Sequence, residues 1–248
     1  MSLNLILAFA ASLVMFIFTT YVLQRYWVRR KLYFLFWGMG LAMFAVASLA
    51  GALLAISWNR WVFFAWYFFG AILTAAWIGQ GTVYLLMKKK TAHILTIILI
   101  TASAAAFFML LAIMPDLDES IYTNSEPISE QYGEIIPDRS DGGYVRLSTP
   151  FFNIYGTITL VGGALYSTFL FWRKRILPNR AIGNILIAVG ALIIASASTL
   201  TRIGYGSLLI LGQLLAAVLM FSGFLVAAAP APSDAKDETK TKAAAAGQ

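Results

Sequence analysis

Cysteine is missing altogether, and histidine occurs once, at His93. The first absence excludes disulfides, thiolate metal ligands and a cysteine nucleophile. The second excludes bis-histidine haem ligation and leaves no ordinary zinc set. Acidic residues are missing more selectively: all eleven fall between Asp116 and Asp141 or between Asp234 and Glu238, and none lies in the long apolar runs. A carboxylate in hydrocarbon is costly and is kept mainly for proton relay, ion binding or counter-ion duty, so those tasks lose their usual side chain here. Serines are present, but no His or Asp is placed to activate one. The expectation is a protein that is not an enzyme, with no catalytic residue, no metal site and no cofactor.

Hydrocarbon is what the chain has in excess. Hydrophobic residues make up 60% of it, charged residues 12%, and the mean hydropathy is +0.78. That is the balance of a multi-span membrane protein, with the lipid bilayer as its first partner. Seven runs are long enough to cross a hydrocarbon core, which needs roughly 20 residues of helix. They lie near Leu3–Leu23, Leu32–Ile56, Trp61–Met87, Ala92–Met114, Phe151–Trp172, Ala181–Leu200 and Gly206–Ala229. Backbone groups in lipid must pair within their own segment, and no run has the two-residue alternation of a barrel strand. The fold class is therefore all-α, a seven-transmembrane-helix bundle over residues 1–229, its helices numbered here as spans one to seven. Residues 230–248, rich in Ala, Pro and Lys, read as a disordered tail.

Basic residues set the orientation. Arg25, Arg29, Arg30 and Lys31, then Lys88, Lys89 and Lys90, then Arg173, Lys174, Arg175 and Arg180, then Lys236, Lys240 and Lys242 all fall on one side. Only Arg60, Arg139, Arg146 and Arg202 fall on the other. The bias places the amino terminus outside and the carboxyl terminus in the cytoplasm, as a multi-pass protein of the plasma membrane, of bacterial cytoplasmic type. The net charge of +7 is thus a topology signal, and nucleic acid is not expected as a partner. The first run has no basic residue ahead of it and ends in a basic stop, so it reads as a retained helix rather than a cleaved signal.

One connection differs from the rest. Residues 115–150, between spans four and five, carry eight acidic residues against two Arg. Within them Tyr132–Ile136 and Tyr144–Leu147, separated by a Pro- and Gly-containing stretch, read as a small β-hairpin. Inside the spans, small residues recur four apart at Gly38 and Ala42, Ala47 and Gly51, Gly70 and Thr74, Gly163 and Ser167, and Gly223 and Ala227. This spacing lets helices approach closely and is read as internal packing.

The polar residues of the spans form two groups. Trp77, Gln80 and Tyr84 share a face of span three, in its cytoplasmic half, at the depth expected for Tyr166, Ser167, Thr168 and Asn184. Nearer the outside, Asn153, Tyr155, Thr157 and Thr159, then Ser196, Ser198, Thr199 and Arg202, then Gln213 are placed to line a cavity beneath the acidic connection. The residues expected to contact a ligand or partner are Arg202, Gln213, Tyr155, Asn153, Gln80 and Tyr84. His93 reads as an interfacial side chain.

Known seven-helix families are mostly excluded by what they require. Microbial rhodopsins need a Lys in the last helix, and Gly206–Ala229 has none. G-protein-coupled receptors need Asp-Arg-Tyr after the third helix and Asn-Pro-x-x-Tyr in the seventh, and sugar transporters of three-plus-one-plus-three build need Pro-Gln elements; none is here. The stretches Trp37-Gly38-Met39-Gly40-Leu41, Tyr67-Phe68-Phe69-Gly70-Ala71 and Gly79-Gln80-Gly81-Thr82-Val83-Tyr84-Leu85-Leu86 resemble a group of uncharacterised bacterial seven-helix membrane proteins, over spans two and three only. That resemblance implies the fold and carries no activity. Two functions remain as expectations: a sensor-like protein or accessory subunit of a membrane complex, meeting a membrane or extracytoplasmic protein through the acidic connection; or a transporter or permease for a neutral or weakly polar solute.

Overall fold

The computed structural model describes residues 3–138, 143–173, 178–201, 204–206 and 208–229. Seven of its helices are long and apolar enough to cross a membrane. They run Leu3–Arg29, Leu32–Leu54, Arg60–Leu86, Lys89–Ala112, Val145–Arg173, Pro178–Thr201 and Leu208–Ala228. The links after spans two, four and six meet at one end, here the acidic end, and the opposite end is the basic end. Spans one and two are joined by two residues, and Arg30 takes a left-handed backbone (φ 51°) to make that reversal. Span three starts where the Asn59 side chain accepts from Trp61 N at 2.9 Å and Val62 N at 3.1 Å.

Span three is the most enclosed element, 61% of its apolar window being buried, against 22% for span four. One face of it belongs to a core of Phe63, Tyr67, Ile72, Trp77 and Leu110 with the acidic-end connection. Its other face, through Ile78, belongs to a second core with Met15, Phe18, Leu41, Met220 and Phe224 from spans one, two and seven.

Close approach depends on glycine at particular points. A Cβ on Gly156 would lie 2.3 Å from the Ala75 carbonyl carbon, and one on Gly79 would lie 2.1 Å from Thr159 Oγ1, so spans three and five touch along their backbones. A Cβ on Gly223 would lie 2.6 Å from Gly183 O, which brings spans six and seven together in the same way. Gly38, Gly51, Gly70 and Gly163, the other glycines of the small-residue pairs, likewise meet Leu23, Trp66, Ala47 and Thr82 of the same chain.

The expected β-hairpin is corrected by the structure. Ile128–Ile135 is an α-helix, Val145 already begins span five, and no strand occurs among the described residues; the intervening 139–142 lie outside them. The reason is visible in the spacing. Ile128, Gln131 and Ile135 are buried, whereas Glu126, Glu130 and Glu134, four apart, are exposed. A helix satisfies that pattern, and a lone two-stranded hairpin in water is marginal.

Candidate functional site

Two turns of π-helix, at Trp66–Leu73 in span three and Ile158–Gly162 in span five, interrupt the ordinary hydrogen-bond ladder next to the Gly79 and Gly156 contact. In span three the displaced carbonyls find side chains. Thr74 Oγ1 donates to Phe69 O at 2.8 Å, and Asn153 Nδ2 reaches across from span five to Ala71 O at 3.0 Å. Asn153 thus ties the two helices together at the irregular turn.

About two turns further along, Gln80 is fully buried and spends its amide on two neighbouring helices, spans four and five. Its Nε2 donates to Ala92 O at 2.9 Å and to Thr96 Oγ1 at 2.8 Å, while Tyr155 O–H donates to its Oε1. Thr96 Oγ1 has one proton to offer either Tyr84 OH at 2.9 Å or Ala92 O at 2.8 Å, and Tyr84 OH lies 2.9 Å from His93 Nδ1. A hydrogen-bonded chain therefore runs from Tyr155 through Gln80, Thr96 and Tyr84 to His93. An amide donates and accepts but does not readily hand a proton on, so the chain fixes positions rather than relaying charge. Beside it Trp77 Nε1 donates to Ser103 Oγ at 3.2 Å, a further tie between spans three and four.

This arrangement redistributes the expected groups. Gln80, Tyr84 and Tyr155 come together, although Tyr155 was assigned to a separate, outer group. Span five begins at Val145, not at Phe151, so Tyr155 lies about 15 Å along its helix at 1.5 Å per residue. Pro150 disguised that start; it stands inside the helix. Thr159 and Thr199 turn their hydroxyls back to Tyr155 O and Ala195 O of their own helices, at 2.7 and 2.9 Å. Gln213 is half-buried on span seven and makes no side-chain hydrogen bond among the described residues. Arg202 lies outside the described residues. Ser167 and Asn184 do not join Gln80; they line a separate cavity with Thr82 and Trp37. Thr96, Ser103 and the tie to His93 were missed. The signal for them was the short link at Met87 and Lys88, which sets residues equidistant from it, such as Gln80 and Thr96, opposite one another.

At the acidic end the connection is a folded cap. Leu117, Ile128, Ile135 and Ile136 are buried under it, and the Tyr132 ring lies 5.7 Å from Trp66 and 5.9 Å from Tyr67. Ser129 Oγ donates to Gly206 O at 2.8 Å, and Tyr122 O–H donates to Leu54 O. Burial pushes the Tyr122 phenol above its ordinary 10.0. Gln131 closes the turn before the cap helix, accepting from Thr123 N at 2.7 Å and donating to Thr123 O at 2.8 Å and Glu126 O at 2.7 Å. All seven described carboxylates, Asp116, Asp118, Glu119, Glu126, Glu130, Glu134 and Asp138, are exposed. Glu119 pairs with Arg60, and Asp138 lies 3.4 Å from Arg146. No three His, Asp or Glu side chains converge among the described residues.

Fold and site together define a helical multi-pass membrane protein with a capped end and a polar-bonded interior. Family models, curated proteins and solved structures give no match to this chain.

Proposed function

We propose that this is a non-catalytic multi-pass membrane protein, sensor-like or an accessory subunit of a membrane complex, that meets a protein partner through the acidic cap. The observation that carries the reading is the cap's two-sidedness: its apolar residues and hydroxyl bonds hold it to the bundle, while every described carboxylate is exposed. A folded surface on which exposed carboxylates outnumber the basic residues favours a basic partner by electrostatic complementarity. The bias of Lys and Arg toward the other end supports a cap outside a plasma membrane of bacterial type, with the amino terminus on the same side. The partner is then an extracytoplasmic or membrane protein presenting a basic face. The resemblance of spans two and three to uncharacterised bacterial seven-helix proteins is consistent with that setting. A permease is the weaker reading, because Gln80, its first polar station, already has both amide protons and its carbonyl engaged.

The test is a charge-swapped cap. Asp116→Lys, Glu126→Lys and Glu134→Lys together alter exposed positions and leave the buried side intact. The parent protein, captured in mild detergent, should bring a stoichiometric partner that the triple variant loses while eluting as a folded protein. Recovery of the parent alone, or equal retention by the variant, overturns the reading.

A further inference from the structure

Between spans one, two, three, five, six and seven, toward the basic end, lies a cavity of about 60 Å³. At about 10–15 Å³ for a water-sized group, it has room for roughly four to six heavy atoms, and the rest of a longer chain would extend through its open edge. Its walls are largely apolar and aromatic, with Phe18, Leu41, Leu160, Met220 and Phe224 prominent, and among the described residues no ionisable side chain lines it. Three polar side chains do, and each has capacity to spare. Thr82 Oγ1 accepts from Trp37 Nε1 at 3.3 Å but donates its own proton to no described group. Ser167, only 8% exposed, makes no hydrogen bond among the described residues, and neither does the half-buried Asn184 amide.

Ser167 is the telling case. Hydroxyls in these spans ordinarily return to a carbonyl four residues back, as Ser103 does to Leu99 O at 2.7 Å and neighbouring Thr168 to Ala164 O at 2.9 Å. Ser167 does not. Its side chain lines the cavity with its hydrogen-bonding capacity unspent, beside a second spare donor and an amide that can both donate and accept. Leu85, near the basic end of span three, is 44% exposed and stands at the edge of the cavity, so the space opens toward the level where hydrocarbon gives way to headgroups.

We infer that this cavity binds a small neutral amphiphile, an apolar chain or ring bearing one hydroxyl or carbonyl oxygen that meets Ser167, Thr82 and Asn184. The described lining carries no charge and so selects a neutral head, and the apolar walls select a hydrocarbon body over water. The inference is independent of what docks on the cap.

A diazirine derivative of 1-octanol, applied to the full chain in detergent and mapped by mass spectrometry, tests it. Labelling should concentrate on lining residues such as Leu85 and Met220, and 1-octanol should compete with it better than octane. Ser167→Ala, which preserves volume, should lower cavity labelling at sub-saturating probe about fivefold, the loss of one net hydrogen bond. Ala164→Leu, which fills the space, should abolish cavity labelling while leaving that on the exposed Phe108 of span four unchanged. The inference is overturned by cavity labelling no stronger than at Phe108, by octane competing as well as octanol, or by Ser167→Ala labelling like the parent.

Discussion

The two faces of span three are built to opposite rules. On the face toward spans four and five, Gln80 engages its carbonyl and both amide protons, and glycines bring backbones into contact. On the face toward spans one, two and seven, Thr82 sits by an open cavity with Ser167 and Asn184, where hydrogen-bonding capacity is left over. Both faces carry polar residues in apolar surroundings, and sequence alone grouped Gln80 with Ser167 and Asn184. The difference teaches that a polar residue in a span signals a ligand only when its bonds are unspent and there is space before it. Saturated groups hold the bundle together.

Adding carbon to each face is the sharpest way to break this comparison. Gly156→Ala should cost about 3 kcal/mol, the upper end of overpacking, because its Cβ would meet the backbone of Ala75 rather than a movable side chain. Unfolding in one detergent gives the value, and a loss below about 0.5 kcal/mol, the scale of an inconsequential surface change, would mean the contact is loose. Tyr122→Phe, on the closed side at the cap, should cost about 1 kcal/mol through its bond to Leu54 O. Its pH dependence has a definite sign. The folded-state pKa is raised above 10.0, so the group's contribution is complete below pH 10.0 and is lost as pH rises through the raised value. The parent cap should therefore loosen in alkali, by hydrogen exchange at Ile128–Ile135, and the Phe variant should lack that component. The smallest effect belongs to the open face: Ala164→Val should be neutral or stabilising by up to about 1 kcal/mol, as cavity filling is. A clear loss there would show the cavity to be closed.

Much of the fold was legible because membrane helices are written in length and hydropathy, and all seven runs appear as helices. The boundaries were less so. Pro150 reads as a stop, yet stands inside span five, and that error moved Tyr155 away from Gln80. The cap was misread because Tyr132–Ile136 was taken with its own β-prone residues instead of with Ile128 and the Glu126, Glu130, Glu134 repeat. Of the site, the face shared by Gln80 and Tyr84 followed from helical spacing. Whether a hydroxyl is satisfied, as at Thr168, or left open, as at Ser167, depends on local backbone geometry and on neighbours that no spacing rule supplies.

Gln80→Leu and Ser167→Ala, unfolded side by side in the same detergent, test the distinction most directly. Gln80→Leu should lose about 2 kcal/mol, three interhelical bonds at about 0.6 kcal/mol each, whereas Ser167→Ala should stay within about 0.5 kcal/mol of the parent. Equal losses, or a larger loss at Ser167, would contradict the account.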